Sequence, residues 1–241
     1  HPLWMTTNRC RCLEASVYLT RFRFNLARRG TRKLLGSPQA LHAAVLAGFA
    51  KPEDHTTDTA RTLWRVDRGT HRPDVRLYIA SPTPPDLTHL VEQAGWPTID
   101  TWLSRPYKPF LDRLEKGQVW AFRLTANPVH DGRKLPSSKD TQRFGVVTVQ
   151  QQVEWLHKRA RRNGFTICLT TDGFPNLVVR DRQTRTFFRN RGERPVTLTM
   201  ATYEGVLQVE DADLLRRVLT KGLGHGKAYG CGLMTLAAVT S

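Results

Sequence analysis

The feature that most constrains the fold is an order of strand and helix patterns that occurs twice along the 241 residues. In the first half, residues 17–24 alternate in polarity as a strand does. Ser37 and Pro38 then open a helix to about Phe49, since serine caps helix N-termini and proline fits the first turn. The basic residues between them, 28–33, are interpreted as a loop. The remaining patterns are strand, strand, helix and strand, at 62–66, 75–80, 86–94 and 118–126.

A similar order follows in the second half. A short strand at 143–147 precedes a helix that Thr148 and Gln151 begin as a capping box and that runs to Asn163. Another helix begins after Asp211, a favoured N-cap residue. The other strand patterns of this half lie at 165–169, 177–180, 185–189, 196–209 and 233–239.

The repeated order β-α-β-β-α-β predicts an α+β fold of two tandem ferredoxin-like (RRM-like) βαββαβ domains. We place the N-terminal domain at 17–130 and the C-terminal domain at 131–241, joined near 129–134. Residues 1–16 show neither periodicity nor a helix cap, and we interpret them as a leader or extension outside the fold.

The charge of the chain indicates a polyanionic partner. Lysine and arginine total 37 against 21 aspartates and glutamates, a net charge of +16 that is spread along the chain. Nucleic acid is the polyanion that such a charge favours. The aromatic signature of sheets that stack single-stranded RNA is missing, so structured RNA is the expected partner.

Hydropathy and cysteine spacing exclude other classes. No apolar run reaches the length of a membrane span, and we expect a soluble, cytoplasmic protein without a membrane partner. The cysteines, Cys10, Cys12, Cys168 and Cys231, lack the spacing of a zinc site or a disulfide framework. Carboxylates with metal-site spacing are absent as well, which favours a mechanism without a metal or other cofactor.

A glycine-rich segment lies close to the C-terminus. Residues 222–233 contain five glycines and Lys227. A P-loop would need glycine at Lys221 and serine or threonine at Ala228, and a dinucleotide fingerprint would need glycine at Lys227. Two interpretations remain, namely backbone amides presented to a phosphate and a turn that lets a helix and a strand pack tightly.

The densest basic segment lies between Arg180 and Arg194, which hold six arginines in fifteen residues. Strand alternation places Arg180 and Arg182 on the same side, where their guanidinium groups could fork onto phosphates or guanine edges. A solvated hairpin is the alternative. We favour RNA contact because the whole chain has the same sign of charge.

His42 is the candidate catalytic residue of the first helix. By position alone it resembles a histidine at the boundary of a core. RNA cleavage by a 2′-hydroxyl requires one group to take that proton and one to protonate the leaving 5′-oxygen, and imidazole can do either. His225, inside the glycine segment, is the rival candidate.

Five motifs resemble one known family. They are residues 18–22 (YLTRF), 37–42 (SPQALH), 122–128 (FRLTANP), 203–205 (YEG) and the glycine segment with Lys227. Together they resemble the CRISPR-associated repeat endoribonucleases of the type I-E Cascade complex, known as CasE. The resemblance extends from about Val17 to Val239.

The resemblance implies a fold, an activity and partners. Members have two ferredoxin-like domains and cut CRISPR precursor RNA at the base of each repeat hairpin without metal, leaving a 2′,3′-cyclic phosphate. They then hold the hairpin as a Cascade subunit. The implied partners are the repeat RNA hairpin and other Cascade subunits, with target DNA met only through the assembled complex.

The resemblance also assigns residues. The family's catalytic histidine falls on His42, while Gln39 and Ala47 replace a tyrosine and a lysine that other members carry. These two departures favour the alternative of a non-catalytic scaffold subunit that binds an RNA hairpin. Arg182 is expected to stabilise charge on the cleaved phosphate. The expected RNA contacts are Arg21, Arg23, Arg180, Arg182, Arg185, Arg189, Arg191, Gly224, Gly226 and Lys227.

Overall fold

The computed structural model describes residues 16–69, 74–96, 102–133, 141–188 and 195–239. The elements of the first half are β1 (Tyr18–Arg23), α1 (Arg29–Gly36), α2 (Pro38–Leu46), a 3-10 turn (Pro52–His55), β2 (Leu63–Arg68), β3 (Val75–Ser81), α3 (Thr88–Ala94), β4 (Trp102–Pro106) and α4 (Lys108–Leu111). Those of the second half are β5 (Val119–Ala126), β6 (Val129–Arg133), β7 (Thr141–Gly145), α5 (Val149–Arg162), β8 (Phe165–Ile167), β9 (Leu177–Phe187), β10 (Val196–Val209), α6 (Ala212–Lys221), a 3-10 turn (Lys227–Tyr229) and β11 (Met234–Ala237).

The first sheet has the order β2-β3-β1-β4, and its neighbouring strands are antiparallel. Alternation in β1 buries Phe22 and leaves Arg21 and Arg23 exposed. Phe22 packs in a core with Leu77 of β3 and with Leu41 of α2. The helices therefore cover one face of this sheet, and α2 is held against it by its apolar side.

The second sheet has the order β11-β5-β10-β8, and β9 pairs with β10 as well. The long strand β10 pairs through its last residues with β8 and through its earlier ones with β9. Its core joins Leu124 and Leu207 of the sheet to Leu156 of α5 and Leu219 of α6. The hairpin of β6 and β7 is inserted between β5 and α5.

Both sheets have the strand order of a ferredoxin-like domain, so the predicted α+β fold of tandem βαββαβ domains is confirmed. The predicted helix starts are confirmed too, since Ser37, Thr148 and Asp211 each accept a backbone N–H of the first turn with their side chains. Within the described residues, no helix has the length and apolarity that a membrane crossing requires.

Several elements differ from the prediction. The strand patterns at 177–180 and 185–189 are one strand, β9, and the pattern at 143–147 falls on β7 of the inserted hairpin and not on the first strand of the second sheet. The strand pattern at 118–126, predicted for the first domain, is β5, which pairs with β10 and β11 in the second sheet. The fourth strand of the first sheet is β4, which the sequence patterns missed. The basic residues 28–33, interpreted as a loop, are mostly helical, because α1 begins at Arg29 and buries Thr31 and Leu34.

Candidate functional site

Helix α2 carries His42 to the boundary between the two domains. Its start is fixed by Ser37, whose hydroxyl oxygen accepts the N–H of Ala40 at 3.2 Å. Leu41 and Val45 are buried on its inner side. His42 follows Leu41 on the helix and is therefore half-buried at the edge of the core.

Two aromatic side chains from other elements contact the His42 ring. The indole Nε1–H of Trp64, on β2, donates a hydrogen bond to Nδ1 of His42 at 3.3 Å. The ring of Tyr229 lies 6.5 Å from the His42 ring between centroids. Because Tyr229 belongs to the glycine segment, two parts of the chain almost 190 residues apart meet at this histidine.

The surroundings of His42 favour its neutral form. Burial is the main cause that lowers the pKa of His42 below its usual value, and electrostatic repulsion from His55 and Arg61 lowers it further. The ring is therefore neutral near pH 7, which is the form that can accept a proton.

The glycine segment forms a tight turn against Trp64. Gly226 and Gly230 flank the 3-10 turn Lys227–Tyr229, and both have left-handed backbone angles. A Cβ atom at Gly230 would lie 2.7 Å from the Trp64 ring, so only glycine allows this approach. Close packing, one of the two predicted roles of the segment, is thus observed.

Arg61 is a cation close to both His42 and Lys227. Burial is the main cause that lowers the pKa of Lys227, and repulsion from Arg61 and Lys221 lowers it further. Arg61 also repels the protonated form of His42. Its Nε is buried and has no hydrogen-bond partner in the described part of the chain. A phosphate oxygen is an acceptor that would satisfy such a donor.

A bulge in β9 changes where the arginines lie. The pairing register of β9 with β10 shifts between Met200 and Thr202 of β10, and Asp181 of β9 has a φ of 47°. The predicted alternation of Arg180 with Arg182 is therefore wrong, because the extra residue of a bulge interrupts the side-to-side order. Arg180 lies 3.5 Å from Glu204, whereas Arg182 donates a hydrogen bond to the carbonyl of Val147.

A cleft of 270 Å³ lies between the two domains. One wall consists of α1, α2 and β2, and the other consists of β9, β10 and the glycine turn with Tyr229 and Gly230. Trp64, which contacts His42, lines the cleft. The charged lining residues within the described ranges are Arg65, Arg68, Asp181, Arg182 and Arg185. Arg65 is paired with Asp67, and the other three cations against one acid suit an anionic occupant.

Arg65 links the two domains through hydrogen bonds. Its side chain is 2% exposed and pairs with Asp67 at 2.6 Å. It also donates to the carbonyls of Arg123, at 2.7 Å, and Leu233, at 2.9 Å, in the second domain. Burial alone would raise the pKa of Asp67, but hydrogen bonds and attraction from Arg65 and Arg123 outweigh it and hold that pKa below its usual value.

The predicted contact residues separate into groups. Arg182 and Arg185 line the cleft, and Lys227 lies on the same turn as Tyr229, close to Arg61. Arg21 lines a different cavity with Tyr78 and Leu103, and Arg23 pairs with Asp74 at 3.2 Å. Two further predicted contacts lie outside the described residues, Arg189 and Arg191.

The remaining predicted residues also have defined places. Gly224 packs against Trp155, and Gly226 packs against Asn127 and Cys231. The rival histidine, His225, is exposed, and its backbone pairs with Asn127.

Sequence reasoning missed three residues beside His42. They are Trp64, Arg61 and Tyr229. Trp64 is one apolar residue of a predicted strand, and Arg61 precedes that strand. Nothing in the sequence around either residue therefore indicates that it lies near His42. Tyr229 lay inside the motif of the glycine segment, where the glycines and Lys227 were the visible features.

The two sheets and the cationic cleft define a tandem ferredoxin-like protein with a surface suited to a polyanion. The CRISPR-associated endoribonuclease Cse3 of Thermus thermophilus is 28% identical over 228 residues, which cover 92% of this chain and 100% of that protein. The Cascade subunit CasE of Escherichia coli is 25% identical over 195 residues, covering 74% of this chain and 93% of that protein. A structure of Thermus thermophilus Cse3 bound to an RNA representing a pre-cleavage complex has a TM-score of 0.72 at 27% identity, with 92% of this chain and 99% of that chain covered.

The family of the chain is shown by a family model that matches almost all of it. The family model described as CRISPR associated protein matches residues 17–238, and the chain belongs to this family. The resemblance to CasE that the motifs indicated is confirmed.

Proposed function

We propose that the protein is an endoribonuclease that cuts CRISPR precursor RNA at the base of each repeat stem-loop without a metal ion and then holds the hairpin as a Cascade subunit. The relatives support the class, since one is named an endoribonuclease and the other a Cascade subunit. The observation that carries the proposal is the meeting of His42 with the glycine turn beside an arginine-lined cleft. Target DNA would be met only through the assembled complex.

The proposed reaction begins with attack of a ribose 2′-oxygen on the adjacent phosphorus. The bond to the 5′-oxygen of the next nucleotide breaks, which leaves a 2′,3′-cyclic phosphate and a 5′-hydroxyl. His42 is the group assigned to proton transfer, as the base at the 2′-hydroxyl or as the acid at the 5′-oxygen.

The cationic residues would stabilise the negative charge of the reacting phosphate. Arginine stays charged throughout, so Arg182 acts electrostatically and not as a proton shuttle. Arg61 would add positive charge close to His42, and Lys227 would add positive charge on the turn that carries Tyr229. Arg185 would bind the RNA backbone within the same cleft.

The deciding experiment incubates the protein with its own repeat RNA in EDTA. A single cut below the stem, with an end that resists phosphatase until polynucleotide kinase opens the cyclic phosphate, supports the proposal. His42→Ala should lower single-turnover cleavage by about 10²- to 10⁴-fold and leave hairpin affinity nearly unchanged. The control is His157→Ala on α5, which should cut at the wild-type rate.

A non-catalytic hairpin-binding scaffold is the second candidate. Gln39 and Ala47 favour it, since neither can supply a charge or a phenol to assist His42. Tight hairpin binding without any cut in EDTA or in magnesium would support the scaffold. A cut that appears only in magnesium would instead require a metal-dependent mechanism.

A further inference from the structure

Trp64 limits which protonation states His42 can adopt. Indole Nε1–H is a donor only, so the His42 Nδ1 that faces it at 3.3 Å has to be the acceptor. A neutral imidazole carries one proton. In this contact the proton of neutral His42 is therefore on Nε2.

This tautomer is not one that transfers protons. As a general base, His42 needs a nitrogen without a proton and free to face the 2′-hydroxyl, but Nδ1 is occupied by Trp64 and Nε2 carries the proton. As a general acid, it has to be imidazolium, with protons on both nitrogens. The proton on Nδ1 would then point at the N–H of Trp64. Every active form of His42 competes with the contact.

Trp64 itself is held firmly in place. It is 4% exposed, and the backbone of Gly230 lies directly on its ring. Among the described residues, the other titratable or charged groups around His42 are His55, Arg61 and Tyr229, with Lys227 on the same turn as Tyr229. Arg61 and His55 also disfavour imidazolium, but their charges do not choose between the two neutral tautomers as a hydrogen bond to Nδ1 does.

We infer that Trp64 is a positioning residue for His42: it fixes the resting ring as the Nε2–H tautomer, and this contact opens before His42 transfers a proton. The second part, the opening of the contact before proton transfer, rests on the proposed function. The first part, the resting tautomer, concerns the RNA-free protein and does not depend on that function.

The test begins with the tautomer of His42 in the RNA-free protein, measured by nitrogen-15 NMR. The His42 signals are assigned by their loss in His42→Gln. Wild-type protein should show the Nε2–H form. In Trp64→Phe, which keeps a ring but loses the donor, the preference for this form should fall by about 2- to 10-fold, the range that one hydrogen bond supports. The pKa of His42 should rise at the same time.

Trp155→Phe is the matched control. Trp155 is also buried, at 5% exposure, and donates Nε1–H to a carbonyl, that of Val129, instead of to His42. This variant should leave the His42 tautomer unchanged. An Nδ1–H tautomer in wild-type protein, or an equal change in both variants, overturns the inference.

Cleavage tests the second half. Without the contact to break, Trp64→Phe should cut about 2- to 10-fold faster than wild type, and the limb of the pH–rate profile that belongs to His42 should move to higher pH. Slower cutting with an unmoved profile would mean that Trp64 only supports the fold. If wild-type protein cuts no RNA, the proposed function fails. The NMR result would still show whether Trp64 fixes the tautomer of His42.

Discussion

Two sets of arginines border the cleft between the domains, and they differ in how they are held. Arg65, on the first wall, is buried and pairs with Asp67 and with carbonyls of the second domain. Arg182, on the second wall, is exposed and gives a hydrogen bond to the carbonyl of Val147. A buried arginine with full partners stabilises structure, whereas an exposed one keeps donors for a phosphate. Cationic residues in one cleft can therefore have different roles.

Removing the carboxylate of Asp67 tests the buried set and should have the largest effect. Asp67→Ala leaves Arg65 buried without its ion pair, so we expect the free energy of unfolding to fall by about 3–5 kcal/mol. Urea denaturation measures it. Asp74→Ala is the control, because its partners Arg23 and Arg76 are half-exposed, and it should lose no more than about 1 kcal/mol.

The effect of Asp67 should also depend on pH. The folded pKa of Asp67 is below its usual value, so its stabilisation is complete above the unfolded pKa of about 3.9 and is lost as pH falls through the lower folded value. Wild type and Asp67→Ala should converge in acid. A constant difference down to low pH would contradict the ion-pair assignment.

Gly230, on the second wall, packs against Trp64 of the first wall, and its substitution should have the next largest effect. Gly230→Ala forces alanine to a φ of +83° and into the ring of Trp64. We expect a loss of about 2–3 kcal/mol in urea denaturation. Gly117→Ala separates the two causes, since Gly117 has a φ of +89° but no atom within 4 Å of the added Cβ. Equal losses in both variants would exclude a contribution from Trp64.

The arginines of the second wall, exposed Arg182 and half-buried Arg185, are tested by Arg182→Ala and Arg185→Ala. Each should weaken binding of the repeat hairpin by about 10-fold, as expected for one charge-assisted hydrogen bond of about 1.5 kcal/mol, and should reduce the salt slope by about one. Stability should change by less than about 0.5 kcal/mol. Filter binding of an RNA with a 2′-deoxy block at the cut measures affinity across salt concentrations.

Arg21→Ala is the control for the arginines of the second wall. Arg21 was predicted to bind RNA, but it lines a different cavity, with Tyr78 and Leu103. We expect its affinity and salt slope to stay near wild type. An effect as large as that of Arg182→Ala would place RNA on the second cavity as well.

Local hydrogen bonds explain which elements could be predicted from sequence. The starts of α2, α5 and α6 depend on one side chain and a nearby backbone N–H, so they were found. The bounds of β10 were found because long apolar alternation marks them. Helix α1 was missed because its basic residues resemble a loop, although Thr31 and Leu34 are buried.

Long-range pairing explains what could not be predicted. Alternation in β5 shows a strand but not its partners, which lie far along the chain in β10 and β11. The bulge at Asp181 depends on the register with β10 and has no signal in a single strand. His42 was found through a motif, while Trp64 and Tyr229 reach it only by tertiary packing.

Arg180 is half-exposed like a binding arginine but also pairs with a carboxylate like a structural one, and its substitution should have the smallest effect. Its side chain is 50% exposed and lies 3.5 Å from Glu204, which also pairs with Arg123. Because solvent screens this pair, Arg180→Ala should change the free energy of unfolding by less than about 1 kcal/mol. The carboxylate of Glu204 also offsets part of its charge, so hairpin binding should weaken less than for Arg182→Ala. A larger loss of affinity than for Arg182→Ala would mean that RNA displaces Glu204 from Arg180, and Arg180 would then belong with the arginines that bind RNA.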